Sequence, residues 1–205
     1  MRSVFAPSLA LLALLVTSAC GPSPSTSSPS TTAPVTSDGT ISLRPAAGQA
    51  IPGPDGGAAP EVTVGKPPPD FEALSHDGEY LRLSALKGKP VVLYFYPRDE
   101  TPTCTKEACS FRDAWKNLSK TGAVLIGIST DDLDAHRKFA AHYQLPFQLV
   151  SDANGSIAAA YGVPNRGGFL ARQTFVIGSD GNVKNIYRTV DVTNHATEVL
   201  ADLSS

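Results

Sequence analysis

The chain has 205 residues, with 17 Lys and Arg against 19 Asp and Glu. A net charge of -2 and a pI near 6.1 give no basis for electrostatic nucleic-acid binding or for a polybasic membrane patch. Many of the 17 Gly and 17 Pro sit in the first third, so the globular part is smaller than the chain and amounts to one good-sized domain.

The first element is a targeting segment. Arg2 is a minimal positive start, and Ser3 to Val16 is an apolar stretch too short to span a bilayer comfortably. The small residues Ser18 and Ala19 then precede Cys20. Leu15-Val16-Thr17-Ser18-Ala19-Cys20-Gly21 resembles a bacterial lipoprotein cleavage box, with Thr17 where that pattern prefers Leu. The expectation is a signal peptide over 1–19 and a lipid on Cys20; the alternative is an ordinary secretory signal cut near Ala19. More than one acyl chain on Cys20 would anchor firmly to the membrane. It would also explain the odd count of 3 cysteines, because a pair then remains. The single methionine, Met1, would leave with the signal peptide.

Residues 20–60 follow as a tether. Pro22 to Pro34 is a Ser/Thr/Pro tract without apolar period, and Gly53-Pro54-Asp55-Gly56-Gly57 continues it. As a coil, about 40 such residues would reach roughly 35 Å.

The folded domain is expected over 61–205. Tyr80-Leu81-Arg82-Leu83 alternates like a half-buried strand after the turn His76-Asp77-Gly78. Val91 to Tyr96 and Ala123 to Ile128 are continuous apolar runs, as in strands buried on both faces. Between them Cys104, Ala108, Phe111, Trp115 and Leu118 form a helical stripe. Strand, helix, strand predicts a parallel, right-handed crossover. Asp131 is expected to cap a second helix ending near Tyr143, before Pro146. A short strand over 147–150 follows, then a hairpin pairing 173–177 with 183–187 about Ser179-Asp180-Gly181-Asn182. Thr193 is expected to cap a last helix that buries Ala196, Val199, Leu200 and Leu203.

The chemistry concentrates between Pro97 and Asp113. An apolar strand ends at Pro97, a polar turn follows, and a helix starting at Pro102 carries Cys104 in its first turn. Unpaired N–H groups and partial positive charge at a helix start favour thiolate over thiol. Cys104 reads as an activated nucleophile, with a second thiol, Cys109, five residues on. A zinc site from Cys104, Cys109, His136 and His142 is discounted, because the two histidines are six apart and face different ways on one helix. No metal and no cofactor is expected. His76 reads as a turn residue and His195 as a helix-start residue.

Pro97, Thr101 and Cys104 match the Pro-x-x-x-Thr-x-x-Cys signature of the peroxiredoxins, thiol enzymes that reduce hydroperoxides. The chain looks most like the peroxiredoxin Q (bacterioferritin comigratory protein) group. The resemblance runs from about Gly65 to the C-terminus, through Lys66-Pro67, Asp70-Phe71, Leu149-Val150-Ser151-Asp152, Tyr161-Gly162-Val163, Arg172-Gln173-Thr174-Phe175 and Asn194-His195. It implies an α/β thioredoxin-like fold with a central mixed β-sheet flanked by helices, which the element pattern also suits. It implies that Cys104 attacks peroxide and becomes a sulfenic acid. Thr101 would offer its hydroxyl to the sulfur or the peroxide, or cap the helix. Pro97 would shield the thiolate from water. Arg172 would stabilise negative charge on the sulfur, and Glu107 would orient Arg172. Cys109 matches the group's resolving cysteine, and thioredoxin or a thioredoxin-like donor would reopen the disulfide. Relatives of this type are often monomers.

Geometry constrains that last step. Five helical residues turn Cys109 ~140° away from Cys104 and ~7.5 Å along the axis. A relaxed disulfide needs closer, converging side chains, so the helix start must unwind locally for the bond to form. The competing classes are an exported thiol–disulfide oxidoreductase, disfavoured by Cys-x₄-Cys spacing, and a non-enzymatic redox sensor on the same fold. The stretch Pro164 to Ala171 looks shorter than the matching loop of many relatives and would shape the pocket rim before Arg172.

Overall fold

In the computed structural model, which describes residues 49–50 and 61–205, both apolar runs are central strands. The elements are β1 (Gln49–Ala50), β2 (Phe71–Leu74), β3 (Tyr80–Arg82), a 3₁₀ turn (Leu83–Leu86), β4 (Val91–Phe95) and α1 (Pro102–Leu118). After them come β5 (Val124–Ser129), α2 (Leu133–Tyr143), β6 (Gln148–Ser151), α3 (Ser156–Ala160), β7 (Asn165–Arg166) and β8 (Phe169–Leu170). The chain closes with β9 (Gln173–Ile177), β10 (Val183–Tyr187) and α4 (His195–Ser204). The signal peptide, the Cys20 lipid site and all of the tether except Gln49–Ala50 lie outside the described residues. Gln49–Ala50 pairs antiparallel with β2.

The main sheet has the order β10-β9-β4-β5-β6. β4, β5 and β6 are parallel, as the strand–helix–strand pattern requires, while β9 runs antiparallel to both β4 and β10. The sheet is therefore mixed, with helices on its faces. β4 is buried at every position because both faces are covered. Val91, Leu93 and Phe95 join a core with Phe71, Ile126, Tyr161 and Phe175. Val92, Tyr94 and Tyr96 join a second core with Cys104, Phe111, Phe139 and Val199. The reactive-thiol candidate, itself on α1, is thus packed on the second face together with residues of α2 and α4.

Gly127 on β5 is a packing requirement. A Cβ there would lie 2.6 Å from Tyr94 Oη and 2.7 Å from Leu149 Cδ2. The absent side chain makes room for the Tyr94 ring.

Several boundaries differ from the sequence reading. α2 is capped by Asp132, whose carboxylate accepts from the Ala135 amide at 2.8 Å, not by Asp131. Asp131 instead accepts from the Asp99 amide and the Ser129 hydroxyl, each at 2.8 Å. Asn194, not Thr193, occupies the cap position of α4, and the Thr193 hydroxyl accepts from Lys106 Nζ at 3.0 Å. β2, α3 and the β7–β8 pair carry too few residues for a periodic signal, and the sequence reading lacks them.

Candidate active site

Cys104 is the third residue of α1, after Pro102 and Thr103. Proline suits the first helical position because its fixed φ matches the helix and its missing N–H costs no bond there. The first ladder bond runs from the Thr105 amide to the Thr101 carbonyl at 2.8 Å, so the Cys104 amide has no partner within the helix. The Cys104 thiol is free and 2% exposed.

Arg172 stands in the link between β8 and β9. Its Nη2 donates to Cys104 Sγ at 3.1 Å, and its Nη1 donates to Glu107 Oε2. Glu107 lies one turn after Cys104 on α1 and is fully buried. One planar guanidinium therefore bridges a sulfur and a carboxylate from a single helix, a fork that lysine cannot supply. Burial opposes the charge on Arg172, and Glu107 and Cys104 more than offset it, holding the guanidinium above its ordinary pKa. Burial pushes Glu107 up to about 7, against the pull of Arg172. Its Oε1 has no hydrogen-bond partner among the described residues. Tyr94 Oη is likewise unpartnered, and burial followed by the nearby Glu107, Asp99 and Cys104 charges drives its pKa well up. Positive potential at the sulfur thus has two sources: the Arg172 charge and the start of α1.

The sequence-derived residues sort unequally. Cys104, Glu107 and Arg172 are joined in one hydrogen-bonded chain. Thr101 occupies the cap position of α1, but its hydroxyl donates back to the Arg98 carbonyl at 3.0 Å and caps no helical N–H. Pro97 lies in a half-buried bend just past β4. Cys109 is buried on α1 outside the cluster that contains Cys104, beside a surface cleft lined by Thr105, Lys106, Ser110 and Thr193. Cys20 lies outside the described residues. His136 and His142 do face apart: His136 is fully buried and His142 half-exposed. His195 heads α4 as read, and its Nε2 meets the Thr174 hydroxyl at 2.8 Å inside the core. His76 stays in the β2–β3 turn, where its Nδ1 accepts from the Leu149 amide at 3.1 Å.

Asp99 and Glu100 carry no role in the sequence reading, yet both are tied to α2. Asp99 is buried against Tyr96 and His136, and Glu100 meets His142 and Tyr143. Nothing local signals these pairs, since 37 or more residues separate each of those histidines and Tyr143 from its partner.

The profile of the AhpC/TSA family matches residues 64–186, which include Cys104, Cys109 and Arg172. A protein of Coxiella burnetii described as a bcp peroxiredoxin is 45% identical over 149 residues, covering 69% of this chain and 99% of that protein. The chloroplastic peroxiredoxin Q of Triticum aestivum is 49% identical over 129 residues, covering 62% of this chain and 59% of the wheat protein. Among solved structures, the peroxidoxin BcpB of Mycobacterium tuberculosis superposes with a TM-score of 0.65 at 39% identity, covering 70% of this chain and 97% of that one. With a thioredoxin-like mixed sheet, a thiol at a helix start and these relatives, the chain belongs to the AhpC/TSA family, in its peroxiredoxin Q (bacterioferritin comigratory protein) group of thiol-dependent peroxidases.

Proposed function

We propose that the protein reduces hydrogen peroxide and organic hydroperoxides through Cys104, with Cys109 as resolving thiol. The observation that carries this is the Arg172 fork, which holds a cation 3.1 Å from Cys104 Sγ and anchors it on Glu107. The Cys104 thiolate attacks one peroxide oxygen, the O–O bond breaks, and the leaving oxygen takes a proton as water or an alcohol. The product is a Cys104 sulfenic acid. Arg172 and the free amides at the start of α1 offset the charge that develops on the leaving oxygen. Thr101 and Pro97 shape the approach to the sulfur, and turning the Thr101 hydroxyl from the Arg98 carbonyl to the peroxide would add a donor.

In the second step the Cys109 thiol displaces hydroxide from the Cys104 sulfenic sulfur; with the thiol proton it leaves as water, and a disulfide forms. The start of α1 must unwind for this, because the helix is continuous from Pro102 to Leu118. A dithiol donor, thioredoxin or a thioredoxin-like protein, then exchanges with the disulfide and is itself oxidised. The mature protein is a monomer, lipid-anchored through Cys20 outside the cytoplasmic membrane after loss of residues 1–19. Residues 20–60 form the tether and 61–205 the catalytic domain. The lipoprotein-like stretch Leu15 to Gly21 supports this placement.

The test is a stopped-flow mix of the reduced soluble domain with hydrogen peroxide, following Trp115 fluorescence beside Cys104→Ser. A fast, stoichiometric change lost in the variant supports the reading. A rate no better than a free thiol overturns it. Palmitate labelling in a bacterial host, lost in Cys20→Ser, tests the anchor.

A further inference from the structure

We infer that α2 is a clasp on the loop Arg98-Asp99-Glu100, and that Asp99 and His136 are positioning residues that set how long the Cys104 sulfenic acid survives before Cys109 reaches it. This rests on Cys109 as the resolving thiol.

Each side chain of the loop is tied to α2 or to the turn that leads into it. Asp99 Oδ2 lies 2.8 Å from His136 Nδ1, and its Oδ1 accepts from the Tyr96 hydroxyl at 2.7 Å. His136 Nε2 faces the Val150 carbonyl of β6 at 3.2 Å. Both ring nitrogens of His136 therefore face oxygen atoms, and neither is left without a polar partner in the core. Asp99 and His136 are thus a buried, hydrogen-bonded pair with 4% and 0% side-chain exposure. The Asp99 amide donates to Asp131, which also stands 3.8 Å from Arg98 Nε. Glu100 meets His142 Nδ1 and the Tyr143 hydroxyl, each at 3.1 Å, at the far end of α2. Glu100 holds this pose at φ 59°, in the left-handed region that side-chain-bearing residues enter uncommonly.

The loop links two fixed elements beside the thiol. β4 ends at Phe95 and is locked between β5 and β9. α1 begins at Pro102. When the first turns of α1 unwind to bring Cys104 to Cys109, the displaced chain pulls directly on residues 98–100. Resolution therefore waits on release of the clasp. While it holds, the sulfenic acid faces a competing fate: a second peroxide oxidises Cys104–SOH to Cys104–SO₂H and leaves as water or an alcohol.

The exposed Glu100 contacts contribute little, as screened surface pairs do. The buried Asp99–His136 pair is the main hold, because removing one partner leaves the other's polar atoms unpaired in the core.

The experiment compares full-length wild type, His136→Asn and the milder surface variant His142→Gln/Tyr143→Phe. Each is reduced and mixed with hydrogen peroxide. Trp115 fluorescence follows both phases, and quenched samples are mapped by mass spectrometry for Cys104 sulfenic acid, Cys104 sulfinic acid and the Cys104–Cys109 disulfide. His136→Asn should leave the first oxidation within about twofold and speed disulfide formation about tenfold. It should also raise, by about tenfold, the peroxide concentration that drives half of Cys104 to sulfinic acid under turnover with dithiothreitol. The surface variant should shift the last two by about two- to threefold. It carries the test if His136→Asn fails to fold. A purely stabilising role would lower the melting temperature without separating the two steps. Disulfide formation at the wild-type rate in the folded variants overturns the clasp alone. A wild-type protein that forms no Cys104–Cys109 disulfide overturns the resolving role of Cys109, and the clasp with it.

Discussion

Arg172 Nη2 lies 3.1 Å from Cys104 Sγ while Nη1 of the same guanidinium is held by Glu107. The two α1 residues are three apart, on adjacent turns of one helix face, so a single rigid fork reaches both. The cation is placed by a carboxylate that is itself fully buried, and its position does not depend on a mobile surface contact.

Replacing Arg172 by Lys keeps the charge and loses the fork. The ammonium can serve the sulfur or Glu107, not both with the same geometry. The expected result is a loss of about 10²-fold in the second-order rate of Cys104 oxidation. Stopped-flow fluorescence of Trp115 measures it, and a rate within twofold of wild type would contradict the role given to the fork.

Glu107 should impose a pH dependence. Its pKa is raised from an ordinary 4.5 to about 7, so between those values the native state holds a proton that the unfolded chain has released. The unfolded state then binds fewer protons, and the contribution of Glu107 to stability falls as pH rises from about 4.5 to about 7. Asp152, raised by burial to about 6, adds a slope of the same sign at lower pH. In Glu107→Gln the Glu107 part of the slope should vanish in urea melts taken across pH 4.5 to 8. A step near pH 7 in the peroxidation rate should vanish with it.

Cys109→Ser separates the two chemical steps. Cys104 should still oxidise at close to the wild-type rate, because Arg172 and the helix start are untouched. No intramolecular disulfide should form, and turnover with a thioredoxin donor should fall at least about tenfold. A dimedone adduct on Cys104, read by mass spectrometry, should accumulate in the variant and not in wild type.

Gly127→Ala tests the seat of Tyr94. The added methyl meets Tyr94 Oη at 2.6 Å and Leu149 Cδ2 at 2.7 Å, and neither rigid neighbour moves cheaply. The expected loss is about 1–3 kcal/mol of unfolding free energy, measured as a lower urea midpoint at unchanged m-value.

Much of this molecule was legible in the residues themselves. The runs at Val91 and Val124 are apolar throughout because both faces of a central strand are covered, and that leaves a mark in the sequence. The stripe Cys104, Ala108, Phe111, Leu118 is buried as its period predicts, and Trp115 packs at its margin. Pro102 opens α1, and Ser179 to Asn182 turns the β9–β10 hairpin. These are local signals, set by backbone sterics and by side-chain spacing within one element. Even so, the caps slipped by one residue, because Asp131 and Asp132 are equally suited to the position and only the path of the chain chooses between them. The reactive cysteine, its place at a helix start and the family signature around it were all determined by the sequence. What only the tertiary structure decided is who meets whom across the chain. Arg172 comes from 68 residues away to reach Cys104, and His136 from 37 residues away to reach Asp99. Such pairings are set by strand order and helix docking, which bury charges that then have to find partners, and no period within a single element encodes them.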